Sequence, residues 1–187
     1  MKSEDRTNQR KYITALSHSA ALRVLIDLCK DDDLAKRIYE MSIEYLSDVD
    51  AYEIAEEVFG SLNAIAVEDL WDNSGKTCYG YREETEVAFE MVEDTVRYFT
   101  RKMDEYKALE MKKQEKEYCK GIIIGLLKYG EEGNNEFADW VPDDPYTIAD
   151  NILYEWKQNN KDEDIDEVKA VYDSFFVEDR SELHLED

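Results

Sequence analysis

Ser74-Gly75-Lys76-Thr77 carries the residue types that close a phosphate-binding loop, where a lysine and a hydroxyl reach a nucleotide's phosphates and magnesium. That chemistry needs a glycine five places before Gly75, and position 70 is Leu70. It also needs a preceding strand, and the residues before this stretch have helical periodicity. A calcium loop fails in the same place. With Gly75 sixth in such a loop, its first and last ligands would be Leu70 and Tyr81, neither a carboxylate.

The two histidines, His18 and His184, stand in no His-Glu-x-x-His or Glu-x-x-His pair, so helix-borne zinc and di-iron sites of the usual types are not expected. His18, between Ser17 and Ser19, reads as a surface residue near a helix start rather than a general base. Cys29, Cys78 and Cys119 are odd in number and each more than 40 residues from the next, so neither a metal-ligand spacing nor a disulfide framework emerges. Cys29 and Cys119 fall among apolar residues of helical patterns and are expected as small core hydrophobes. No catalytic residue, metal ligand or cofactor site is expected. Carboxylates such as Glu83, Glu84, Glu86, Glu90, Glu93 and Asp94 are abundant enough to read first as solvated helix faces.

The elements that would position any site read as helices throughout. Apolar residues recur at three- and four-residue spacing through Tyr12, Leu16, Ala20, Ala21, Leu25 and Leu28, a first helix over about 9–30. Leu34, Ile38, Met41 and Tyr45 mark a second helix capped from Asp31-Asp32-Asp33, and Tyr52, Ala55, Phe59, Leu62 and Ile65 or Ala66 a third. A long fourth helix, about 83–109, carries Ala88, Val92, Val96, Phe99, Met103 and Tyr106 and is expected at the centre of the fold. A fifth opens on Lys112, Lys113 and Lys116 and ends at Gly130; Gly121 and Gly125, four apart on one face, suit close approach of a neighbouring helix. Asn135 suits a cap for a short turn through Phe137 and Trp140. Pro142-Asp143-Asp144-Pro145 then stops the chain and starts another helix, with Asp144 as cap and Ile148, Ile152 and Trp156 as its stripe. Ile165, Val168, Val171 or Tyr172, and Phe175 or Phe176 mark a last helix.

Each helix has one apolar stripe and must lie against others to bury it. The expected fold is therefore all-α: seven or eight antiparallel helices stacked as hairpins, α-solenoid-like or a bundle, in a single domain over 1–180 with a frayed tail over 181–187. Asp50-Ala51-Tyr52-Glu53-Ile54-Ala55-Glu56-Glu57-Val58-Phe59 is echoed by Asp144-Pro145-Tyr146-Thr147-Ile148-Ala149-Asp150-Asn151-Ile152-Leu153; helical grammar alone or a repeat would both produce it.

Between Asp69 and Tyr81 the periodicity fails. Two glycines and several turn formers mix with Leu70, Trp71, Tyr79 and Tyr81, which reads as an ordered loop packed on the helices. Aromatics on irregular structure also suit a contact surface. The candidate partner-binding residues are Trp71, Tyr79, Tyr81 and Trp140, with Asp72, Asp143 and Asp144 as an acidic rim that Asp69 and Asp139 would extend. The plainer reading makes Trp71 and Trp140 packing anchors.

With 23 basic and 46 acidic residues the net charge is −23, which repels phosphate backbones and argues against direct nucleic-acid binding. Residues 1–30 and 101–128 each carry +3, while 161–187 carry −8, so two basic patches ride on an acidic body. Hydrophobic residues make up 43% of 187, enough for a core, and only 7 Gly and 2 Pro argue against a turn-rich β fold. No run approaches the length of a membrane span and no signal-peptide core is present, so a cytoplasmic protein with reduced thiols is expected.

Val67-Glu68-Asp69-Leu70-Trp71-Asp72, Ser74-Gly75-Lys76-Thr77, Tyr79-Gly80-Tyr81, Tyr118-Cys119-Lys120-Gly121-Ile122-Ile123-Ile124-Gly125-Leu126, Asp139-Trp140 and Asp143-Asp144-Pro145 occur in that order. The order resembles the helical region that accompanies the zinc finger in SWIM zinc-finger proteins of bacteria and archaea, over roughly residues 20–157. The finger's Cys-x-Cys and Cys-x-His are missing here, so its metal and DNA roles do not carry over. The resemblance implies a helical, protein-binding module without known catalysis. The function expected is a non-catalytic acidic interaction module with a basic protein as partner. The alternatives are an acidic mimic of nucleic acid that inhibits a basic nucleic-acid-binding protein, and an uncharacterised hydrolase.

Overall fold

Short polar side chains start the first three helices. In the computed structural model, which describes residues 10–78, 80–160, 168–170 and 172–174, Ser17, Asp31 and Asp50 are each extended and each turns an oxygen onto the first free N–H groups of a helix. Ser17 accepts from Ala20 at 3.3 Å and opens α1 (His18–Leu28). Asp31 accepts from Leu34 at 3.0 Å and opens α2 (Asp32–Ser47). Asp50 accepts from Tyr52 and Glu53 and opens α3 (Ala51–Asn63). The Ser17 cap corrects the expectation of one helix over 9–30: residues 10–14 are helical, the chain breaks at 15–17, and α1 starts afresh.

The chain divides into two compact units, the first ending at Asp48 and the second beginning at Val49. In the first, α1 and α2 pair as a hairpin, and neither has a buried residue. Cys29, expected in a core, is exposed at the end of α1.

The second unit holds α3, α4 (Val67–Asn73), strands β1 (Gly75–Thr77) and β2 (Gly80–Arg82), α5 (Glu84–Ala108), α6 (Lys112–Glu132), a 3-10 turn (Ala138–Trp140) and α7 (Asp144–Asn159). Residues 168–170 and 172–174 are helical, with Val168 buried; the rest of the expected last helix and the tail lie outside the described residues. The all-α class holds, with packed helices and one small two-stranded sheet.

The centre of this unit is α6, not the long helix α5. It packs against α3, α5 and α7, and Cys119, Ile122, Ile123, Leu126 and Leu127 are fully buried. The reason lies in its sequence. Gly121–Leu127 is apolar on every side, so neighbours must cover every side, whereas α5 buries one stripe, Val87, Ala88, Val92, Val96 and Phe99. Gly121 and Gly125 admit α3 at close range: a Cβ on Gly121 would sit 2.7 Å from the Ala51 carbonyl, and one on Gly125 2.7 Å from that of Ala55. The echoed segments are alike in burial. Ala51, Ile54, Ala55 and Val58 of α3 and Pro145, Ile148, Ala149 and Ile152 of α7 are all buried.

The segment expected as an ordered loop contains regular secondary structure instead. Val67 and Leu70 anchor α4 in the core, and an antiparallel hairpin follows, pairing Gly75 with Arg82, Lys76 with Tyr81 and Thr77 with Gly80. Gly75 at φ 81° and Gly80 at φ 138° hold backbone conformations that side-chain-bearing residues rarely adopt. Gly80 adjoins the turn between the strands, and Gly75 begins β1 at the open end of the hairpin.

Candidate functional site

The segment between α6 and α7 is held by one amide. Asn135 directs Nδ2 to the carbonyls of Leu62 (3.3 Å), Asn63 (3.2 Å) and Ile65 (3.0 Å), at the end of α3. Its Oδ1 accepts from the Tyr129 hydroxyl at 2.9 Å and from the Ala138 N–H at 3.1 Å, capping the 3-10 turn as its sequence position suggested. Burial pushes the Tyr129 hydroxyl up to about 12, so it stays a donor at neutral pH. Phe137 is fully buried, and Val141 nearly so. The backbone on either side of Trp140 is thereby fixed.

Trp140 then forms one wall of an open cleft of about 530 Å³. The opposite wall is the start of α5: Glu83, Thr85, Glu86 and Phe89. Pro142, Asp143 and Asp144 complete it at the start of α7. Helix α7 opens one residue earlier than expected. Asp143 is its N-cap, without a side-chain hydrogen bond, Asp144 is its first residue, and Pro145 follows. Both acidic pairs thus lie at helix N-termini, where the macrodipole stabilises negative charge. Asp144 is nevertheless raised above the usual aspartate range, first by burial and then by the neighbouring charge of Asp143.

Among the described residues, the cleft is lined by four carboxylates, Glu83, Glu86, Asp143 and Asp144, and two aromatic rings, Phe89 and Trp140, and by no basic side chain. This arrangement can hold a cation. Carboxylates attract a lysine or arginine head, and aromatic rings suit its cation and its aliphatic stem. Among the described residues, no group of three His, Cys, Asp or Glu side chains is placed to hold a metal ion.

The structure brings three of the expected site residues together in this cleft: Trp140, Asp143 and Asp144. Tyr81 lies close by in the chain of contacts, its hydroxyl donating to Glu84 Oε1 at 3.2 Å, beside Glu83. That bond, and the charge of Glu84, raise the Tyr81 phenol above its usual value. An ion pair of Arg82 with Glu90 ties the hairpin to α5. Trp71 and Asp72 are on the exposed surface of α4 and do not line the cleft, and Tyr79 lies outside the described residues. Asp69 and Asp139 are exposed and do not line it either.

The expectation that Trp71 anchors a loop is overturned. It is 54% exposed, because Leu70 beside it takes the buried position of α4. Trp140 is half-buried against the core and lines the cleft as well. Glu83 and Glu86 read from the sequence as solvated helix faces, and Phe89 was not singled out. The signal that could have found them is Phe89 itself, an aromatic beside the Ala88–Val92 stripe and flanked by glutamates. Gly75–Thr77 is a strand that follows a short helix, a geometry unlike the strand–loop–helix that cradles phosphate.

Among the described residues no helix is long and apolar enough to cross a membrane. Comparison with protein-family models, with curated proteins and with solved structures finds no match to this chain.

Proposed function

We propose that the chain is a non-catalytic interaction module that takes a basic segment of a partner protein into the acidic, aromatic cleft between α5 and α7. The observation that carries this is the lining: four carboxylates around Trp140 and Phe89, with no balancing lysine or arginine among the described residues. Charge across an interface of this kind sets encounter rate and register, and an aromatic contributes the anchoring contact. The resemblance to the helical region of SWIM proteins points the same way. The exposed thiols of Cys29 and Cys78, neither in a disulfide, suit a reducing cytoplasm.

The net charge of −23 also supports a second reading, in which the same acidic surface takes the place of nucleic acid on a basic protein. A fluorescent peptide rich in lysine and arginine tests the first reading. It should bind the full chain, and Trp140→Leu, which keeps an apolar filler but removes the indole face, should weaken binding several-fold. Equal binding by Trp140→Leu, or none by either chain, counts against the cleft. The second reading is separated by competition: a mimic displaces duplex DNA from a basic DNA-binding protein, and a peptide-binding module does not.

A further inference from the structure

Farther along the two helices that form the Trp140 cleft lies a second depression of about 500 Å³, lined by Glu93, Val96 and Arg97 of α5 and by Ile148, Ile152 and Glu155 of α7. The two are segments of one groove. On α5 the lining residues Glu86, Phe89, Glu93, Val96 and Thr100 recur every three or four positions, and on α7 Asp144, Ile148, Ile152 and Glu155 do the same, so each set is a single stripe of its helix. Both helices open at the Trp140 end and run the same way. From Thr85 to Thr100 the groove is about 22 Å long, at about 1.5 Å per residue.

Its chemistry narrows the occupant. In the second segment Val96, Ile148 and Ile152 are buried and form an apolar floor, while Glu93, Arg97, Asn151 and Glu155 are exposed along the rims. Among the described residues, six carboxylates line the two segments against one basic side chain, Arg97, and that one is already ion-paired with Asp94. The chain's own tail over 161–187, at −8, is repelled from such a groove, whereas a basic occupant is attracted. Both walls are helices, whose backbone groups are bonded internally except at the ends, so neither wall offers a strand edge. A segment lying between them must satisfy its own N–H and C=O groups, as a helix does.

We propose that the groove takes a basic amphipathic helix of a partner protein, about four turns long at about 5.4 Å per turn. Its aliphatic side chains lie on the floor, its lysines and arginines reach the carboxylates of both rims, and one end occupies the Trp140 cleft. This rests on the reading of that cleft as a site for a basic segment, and gives the segment its conformation and length. Because the floor is nearly covered already, charge contributes more than apolar burial, and affinity falls steeply with salt.

The test titrates an alanine-based peptide of about fifteen residues, the length of the groove, into the full chain. Leucines at every third or fourth position form its stripe, with lysines on both sides. A second peptide has the same charge but a central proline, which breaks the helix. The helical peptide should bind at least fivefold more tightly than the proline one. Three variants each lose two charges at exposed or partly exposed positions: Glu93→Gln with Glu155→Gln, Asp143→Asn with Asp144→Asn, and Asp69→Asn with Asp72→Asn. The first two should each weaken the helical peptide at least fivefold, and the third under twofold. If the Glu93/Glu155 variant behaves like the Asp69/Asp72 variant, or the proline peptide binds equally well, the helix in the groove is overturned, while a loss confined to the Asp143/Asp144 variant keeps the reading of the Trp140 cleft. Equal weakening in all three variants, or no binding of either peptide, overturns both. Binding that disappears as the chain concentration rises would mean that a second copy fills the groove, and overturns the helical partner.

Discussion

Asn135 joins the end of α3, the hydroxyl of Tyr129 and the turn before Trp140 through one side chain. Asn135→Ala leaves these partly buried groups without a partner. We expect a loss of about 2–3 kcal/mol in urea denaturation, near the upper range for unsatisfied buried polar groups. A loss under half of that would mean that the turn is held by Phe137 alone. The cysteines give a second expectation at this scale. Cys119 is fully buried, and burial together with the nearby Glu115 charge raises its thiol far above the usual value, whereas Cys29 and Cys78 are exposed. A thiol reagent should modify two cysteines quickly in the native chain and the third only on unfolding. Asn135 and Cys119 were legible in the sequence, from a turn-forming context and an apolar one. Cys29 was not: its neighbours are just as apolar, but the hairpin they belong to has no covering layer of its own. Trp71 failed for a different reason, because Leu70 and Trp71 compete for one inward position and the sequence does not rank them.

Between elements, the closest contact is α3 on α6. The spacing of Gly121 and Gly125 pointed to it, and the structure supplies the partner, since a Cβ on either would meet α3 backbone and Ile54 or Val58 at 2.6–2.7 Å. Gly60, on the exposed face of α3, meets nothing within 4 Å. The same substitution should therefore have opposite signs. Gly60→Ala should stabilise the chain by about 0.5–1 kcal/mol through helix propensity. At Gly121 or Gly125 that gain is outweighed by overpacking, and we expect a net loss of about 1–3 kcal/mol. Thermal denaturation of the three variants decides it; a stabilising Gly121→Ala would mean that α3 moves away freely. Helix class, caps and stripes were legible because they depend on residues within one or two turns. The centrality of α6 and the hairpin at Gly75–Arg82 were less so, since one depends on how many neighbours surround a helix and the other on a pairing across a two-residue turn.

Across the whole molecule, four of the 46 acidic side chains line the aromatic cleft. The four carboxylates of that cleft come from segments about 60 residues apart, so only half of the lining, the Trp140–Asp144 side, could be foreseen from the sequence. The raised Asp144 gives the cleft a pH dependence. A bound cation favours the ionised carboxylate, so affinity should be full at neutral pH and fall as the pH drops through the raised Asp144 pKa, before an ordinary aspartate would protonate. In the free protein the sign is reversed: an unfolded aspartate ionises at lower pH, so Asp144 costs stability at neutral pH, and acid relieves that cost. Titrating binding and stability over the same mildly acidic range should show these opposite trends.

The most direct measurement compares charge removal inside and outside the cleft. A peptide rich in lysine and arginine is titrated calorimetrically into the wild type, into Asp143→Asn with Asp144→Asn, and into Asp69→Asn with Asp72→Asn. Both double variants lose the same charge, so general attraction to a chain of net charge −23 falls equally. Recognition in the cleft predicts at least a tenfold weaker affinity for the Asp143/Asp144 variant and a change under twofold for the Asp69/Asp72 variant. Equal weakening in both would contradict a cleft and leave only diffuse attraction of opposite charges.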